Sequence, residues 1–186
     1  TGSAYIQFPN PLPNPITAYS AIVSLQATNT NTWSYVFGAN DWGGNLRGPQ
    51  LWIHGSPFFG NFPYWIAQYH SADGIATPVG VSTPNPGYYA SRGNLSGRQL
   101  LVSTFSASLV TIQDGLAGRD QNGGRFNTAG AFGTAYNARP NWTVAKNETA
   151  ANNWYNGVIT SYFLFNKALG QQEIEAFRRI YAQTVG

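Results

Sequence analysis

Clusters of turn-forming residues cut this chain into lengths that suit strands rather than helices. "NPLPNP" (10–15), "TNTN" (28–31), "NDWGGN" (40–45), "ADG" (72–74), "TPNPG" (83–87), "DQNGG" (120–124) and "NARPN" (137–141) put Gly, Pro, Asn and Asp where a helix needs continuity. The runs between them are rich in Val, Ile, Thr and aromatics. They predict strands over 4–8, 18–27, 32–38, 50–54, 64–69, 99–106, 109–113 and 157–166. "QDG" at 113–115 suits a type I′ hairpin turn. No repeat or linker divides the chain, so residues 1–186 read as one domain. The expected fold is all-β: a two-sheet antiparallel jelly-roll sandwich.

Composition supports a packed core. Apolar residues make up 42% of the chain and aromatics 15%, including six Trp, so the chain will not stay unfolded in water. Charged residues are only 9%, against roughly a quarter in average globular proteins. The net charge of +3 is spread over arginines scattered through Gly/Asn-rich loops, and no basic stripe marks a nucleic-acid partner. No apolar run reaches the roughly 20 residues of a membrane span. With no Cys, disulfides, thiolate metal sites and a thiol nucleophile are excluded. Met is absent even at residue 1, which reads as a processed or excised product, and "TGS" at 1–3 reads as a cloning remnant.

One segment breaks the strand pattern. From Gln171, the apolar residues Ile174, Phe177, Ile180 and Tyr181 recur at helical spacing. Glu173 and Glu175 open the helix and Arg178 and Arg179 follow, in the order the helix dipole favours. Gly170 is the expected N-cap, with Glu173 in the third position of a capping box. This short C-terminal helix is expected to pack its apolar stripe on the sandwich edge. The preceding strand is apolar on both faces: Ile159, Phe163 and Phe165 are expected one way, Tyr162 and Leu164 the other. Its second face must therefore be covered, line a ligand groove or meet a partner.

"NGVITSYFLFNKALGQQEIEAF" resembles the terminal strand and helix of laminin-G-like domains in the concanavalin A-like lectin/glucanase superfamily. Gly157, Ile159, Asn166, Lys167, Ala168, Leu169, Glu173 and Ile174 fall in register with that motif. "LLVSTFSASLVTIQDG" (100–115) is similar to the family's paired strands, and "AYIQFPNPLP" to its opening strand. Gln99 stands where the family tends to carry Trp, and Gly170 replaces the usual Ser cap. The resemblance implies a jelly roll that often binds glycans, sometimes binds calcium, and in some branches cleaves β-glucans.

Catalysis has little to work with. Glycosidases need two carboxylates roughly 5–9.5 Å apart. The chain has seven acidic residues, and its i, i+2 pair, Glu173 and Glu175, diverges on a helix. No enzyme is expected. Calcium, which the resemblance admits, would draw oxygens from Asn40, Asp41 and Asn45 or from Asp120 and Asn122, although turns account for these residues without a metal. A sugar site needs aromatic platforms beside amides and hydroxyls. "FFGNFPYWIAQYH" (58–70) supplies Asn61, Tyr64, Trp65, Gln68 and Tyr69; Trp52 and His54 share one strand face; Trp42 sits in a Gly-rich turn. Tyr88, Tyr89 and Trp142 are further loop candidates. The best-supported expectation is a non-catalytic carbohydrate-binding module, extracellular or on a virion surface, whose partner is a polysaccharide or cell-surface glycan. Its rival is a viral or phage structural, decoration or fibre protein that assembles as a homo-oligomer or on a capsid. That reading rests on the same Tyr-, Trp- and Phe-rich, charge-poor composition.

Overall fold

The computed structural model describes residues 5–28, 34–38, 49–54, 64–68, 88–91, 98–114, 126–129, 133–146 and 155–185; for 52–54, 64–68, 88–91, 113–114, 126–129 and 184–185 the description is of the backbone. Among the described residues the chain runs β1 (Ile6–Pro9), β2 (Ala18–Ala27), β3 (Ser34–Gly38), β4 (Gln50–His54), β5 (Tyr64–Gln68), β6 (Tyr88–Ser91), β7 (Arg98–Ser106), β8 (Leu109–Asp114), β9 (Phe126–Ala129), β10 (Asn141–Val144), β11 (Gly157–Phe165) and α1 (Gln171–Val185). The strands form a six-stranded sheet, β1-β10-β3-β4-β5-β6, and a five-stranded sheet, β11-β2-β7-β8-β9. Every pairing is antiparallel. This is the expected sandwich.

The core lies between the sheets. Alternation along β2 sends Tyr19, Ala21, Val23, Leu25 and Ala27 inward, to meet Leu101, Phe105, Val110 and Ile112 of their own sheet and Val36, Phe37, Leu51 and Trp142 of the other. Full burial of side chains this size stabilises by about 1.5–3 kcal/mol each. Trp142, expected in a loop, is instead fully buried in β10. Its ring stacks on Phe37 at 6.1 Å and meets Tyr19 edge-on at 6.4 Å.

A buried amide explains that placement. The Trp142 indole N–H donates to Asn137 Oδ1 at 3.1 Å. Asn137 Nδ2 donates to Asn10 Oδ1 at 3.0 Å and to the Leu12 and Pro13 carbonyls at 3.1 Å each. Asn10 Nδ2 returns a bond to Asn137 Oδ1 at 2.9 Å and another to the Arg139 carbonyl at 2.7 Å. "NPLPNP" and "NARPN", which read as separate surface turns, are one interlocked unit that also carries the Ile16↔Ala135 bridge.

The second face of β11 is covered by the chain itself. Ile174 and Tyr181 of α1, with Phe177 beside them, pack on Ile22, Leu100, Val102 and Phe165. The helix therefore lies on the outer face of the five-stranded sheet, rather than at the sandwich edge. Phe177 meets Phe163 edge-on at 4.9 Å. Glu173 Oε2 accepts from Gly170 N–H at 2.9 Å, which is the expected half of the capping box, and Glu173 pairs with Lys167. The helix runs to Val185, so Arg178 and Arg179 sit in its middle. Ile159 departs from expectation. A bulge between Ile159 and Ser161 breaks the alternation, so Ile159 joins Tyr162 and Leu164 on the core side.

Three strands escaped the sequence reading: β6, β9 and β10. The hairpin read at 113–115 also differs. β8 pairs onward to β9 through Ile112↔Phe126, so no two-residue turn joins these partners. The tight connection lies one strand earlier, where Ser106 Oγ accepts from Leu109 N–H at 3.0 Å.

Two outcomes follow from these contacts. Asn137→Ala leaves the indole N–H and two carbonyls buried without partners, and should destabilise by about 3 kcal/mol or more in urea titration. The second concerns Tyr181. Burial raises its pKa, but hydrogen bonds from Ser161, Ser24 and Thr160 and from Arg98 outweigh this and bring the phenol down to about 8. Unfolded, it titrates near 10. Between those values the folded state binds fewer protons, so this contribution grows as pH rises and is lost as pH falls through about 8. Tyr181→Phe should abolish that rise in urea midpoint and remove an early phenolate signal from absorbance titration.

Candidate functional site

Strand pairing sorts the predicted sugar-site positions. Across β4 and β5 the pairs are Gln50↔Gln68, Trp52↔Ile66, Ile53↔Trp65 and His54↔Tyr64. Directly opposed residues share a sheet face. Positions 52, 54, 64 and 68 therefore fall together, while position 65 falls on the face whose Leu51 packs in the core. Trp42, Asn61 and Tyr69 lie outside the described residues, as do Asn40, Asp41, Asn45, Asp120 and Asn122. Tyr88 and Tyr89, expected in a loop, are in β6, opposite Gln68 and Ala67.

A groove that the sequence did not single out lies on one flank of the sandwich. β1 ends the six-stranded sheet and β11 ends the five-stranded one, and both strands line the same cavity of about 1300 Å³. Ile6 shows how open it is. Ile6 pairs with Val144 on the core face of its sheet, yet is 64% exposed, because no described residue closes the sandwich there. Phe8, Leu12, Tyr155, Ile159, Tyr162 and Leu164 continue the lining.

The residues that build this flank have local reasons. Tyr155 can lie across the start of β11 because residue 157 is glycine; a Cβ there would sit 2.8 Å from the ring and 2.2 Å from the Gln26 carbonyl. The ladder continues past the strand ends, where Thr28 N–H donates to the Asn156 carbonyl at 2.9 Å. At the groove's β10 end Ala145 holds a left-handed φ of 70°, with its N–H on the Val36 carbonyl and its own carbonyl on Tyr155 N–H. A non-glycine residue in that region is strained, and such strain tends to collect at functional sites.

Polarity is confined to the rim. Thr28, Asn156 and Asn166 are exposed along it. Thr160 and Ser161 turn their hydroxyls away, to Ser24 Oγ at 2.8 Å and Tyr181 at 3.1 Å, and so border the groove with backbone. The outer edges of β1 and β11 have no strand partner among the described residues, which leaves backbone donors and acceptors free to bond a ligand. The buried hydroxyls of Tyr155 and Tyr162 make no hydrogen bond among the described residues. Burial pushes both phenols well above their usual range, and the Tyr35 phenol adds to this at Tyr162, so both stay protonated.

No Asp, Glu, Lys, Arg or His is among the described lining residues. Glu173 and Glu175 are on α1, held by Lys167 and Arg178. Among the described residues no three His, Cys, Asp or Glu converge on a common point that could hold a metal, and no helix is long and apolar enough to cross a membrane. An apolar, partly aromatic trough with amides on its rim can hold a sugar ring by its C–H faces while bonding its hydroxyls.

No family model and no curated protein matches the sequence. The fold has clear counterparts. Domain 4 of an extracellular GH43 arabinanase from Geobacillus stearothermophilus, solved with arabinotriose, superposes with a TM-score of 0.56 at 12% identity, over 94% of this chain and 72% of that one. A heptameric SAP-like pentraxin from Limulus polyphemus gives 0.57 at 8% identity, over 94% and 75%. A Trypanosoma rangeli sialidase in complex with sialic acid gives 0.53 at 16% identity, over 91% of this chain but only 24% of the sialidase. Identities this low carry the architecture alone: the chain has the concanavalin A-like jelly-roll fold.

Proposed function

We propose that this protein is a non-catalytic carbohydrate-binding module that acts outside the cell, with the β1/β11 groove as its sugar site. The observation that carries the reading is the groove's make-up: Phe8 and Tyr155 beside rim residues Thr28, Asn156 and Asn166 on an open flank. The arabinotriose held by the arabinanase domain, on the same fold, gives it support. Positions 52, 54, 64 and 68, a Trp, a His, a Tyr and a Gln that strand pairing puts on one sheet face, are a second candidate. A competing reading, assembly with copies of itself or on a particle, is favoured by the exposed Val158 (55%), Phe163 (36%) and Ile180 (65%).

A glycan array and affinity gels, run with and without chelator, test the proposal. The double variant Asn156→Ala, Asn166→Ala removes two exposed rim amides and should weaken retention about tenfold, the loss of roughly 1.4 kcal/mol of hydrogen bonding, when compared at equal folded fraction. Tyr64→Ala reports on that second candidate, and Trp42→Ala on the Gly-rich turn 40–45. Retention by no glycan, with concentration-dependent growth in light scattering, would move the function to assembly. Release of reducing sugar from β-glucan would make the protein an enzyme.

A further inference from the structure

We propose that the β1/β11 groove selects uncharged oligosaccharides and rejects acidic ones; this rests on the carbohydrate-binding reading above. The described lining is apolar or neutral, from Tyr5, just before β1, and Phe8 on β1 to Ile159 on β11 and Asn166 just after it. A carboxylate drawn into such a trough loses its hydration and meets no countercharge among the described lining residues. The nearby cation, Lys146, is not a lining residue; its ammonium sits 4.7 Å over the Tyr5 ring. Neutral hydroxyls meet no such cost. They find amide donors and acceptors on Asn156 and Asn166, and backbone groups on two strand edges that have no strand partner among the described residues.

Size and rigidity add to this. The cavity of about 1300 Å³ exceeds the ~300–1,000 Å³ typical of drug-sized ligands. It therefore has room for more than one sugar ring. The strained backbone at Ala145 is fixed on both sides by hydrogen bonds, at 2.8 Å to Val36 and 2.9 Å from Tyr155, so the trough is formed before a ligand arrives. The Tyr155 and Tyr162 phenols, raised by burial, remain neutral through the physiological range and add no charge to the trough.

Calorimetry on the whole chain tests the inference. The ligands are neutral arabino-, xylo- and gluco-oligosaccharides, set against oligogalacturonate and sialylated oligosaccharides of matching length. Neutral ligands should bind at least about tenfold tighter, and their affinity should shift less than about twofold between low salt and 0.5 M NaCl. Asn156→Lys and Asn166→Lys place a charge on the exposed rim without disturbing the core. Each should improve acidic ligands and make their binding salt-dependent. Acidic ligands binding as tightly as neutral ones, with the rim variants altering both, would overturn the selectivity and leave the carbohydrate reading standing. Neutral binding untouched by either rim variant would overturn the choice of groove. No binding by any member of either series would overturn the carbohydrate reading itself.

Discussion

The carboxamide of Asn137 holds two loops and a tryptophan in fixed relation, and the flank of the sandwich depends on it. A single short side chain accepts from the Trp142 indole and donates to Asn10, Leu12 and Pro13. Asp has no N–H to donate, and Gln would carry the amide one methylene further. Because Asn10 directly follows β1, the same amide fixes where that strand leaves the sheet. β1 is only four residues long and pairs with β10 alone, so it has little else to hold it. One wall of the groove is thus set by a hydrogen-bond hub whose two amides, Asn137 and Asn10, are not among its described lining residues.

The other wall is set by a different device. β11 pairs with β2 along its whole length, and its outward face is buffered from water by α1. Polar groups on that face find partners: Ser20 Oγ accepts from Leu169 N–H at 2.8 Å, and Ser24 takes the Thr160 hydroxyl. With that surface occupied by the chain's own helix, β11 keeps its free edge and its inner face for other contacts. The division explains how a strand can be apolar on both sides without exposing either one fully.

Much of the architecture was legible because it follows from local rules. β2 and β4 begin and end where their Val, Ile and aromatic runs do, and the Gly170–Glu173 cap stands as its spacing implies. What escaped was non-local. β10 hides in "NWTV", four residues beside a Pro-containing turn, and only the distant partners Tyr19, Phe37 and Asn137 make its tryptophan a core residue. The short β9, "FNTA", has no periodicity to read and is held by pairing with β8. The groove was half visible. The double-faced apolar pattern of β11 announced a covered or ligand-lining face, but that its inner side borders an open flank depends on where two sheets end. For the sugar-site candidates the sequence gives face parity within a strand, whereas cross-strand pairing separates Trp65 from Trp52, His54, Tyr64 and Gln68.

The irregularity in β11 decides which side chains the start of this strand sends inward. Because Thr160 is skipped in the pairing, Ile159 stands opposite Leu25 on the core side and Val158 stays in solvent. The same residues paired without that skip would set Thr160 opposite Leu25, turn Ile159 out and bring Val158 inside. Loss of the single codon for residue 160 would instead close the ladder with Ile159 still opposite Leu25 and Gly157 opposite Ala27, so this is the point where the strand can shorten without reversing a side chain.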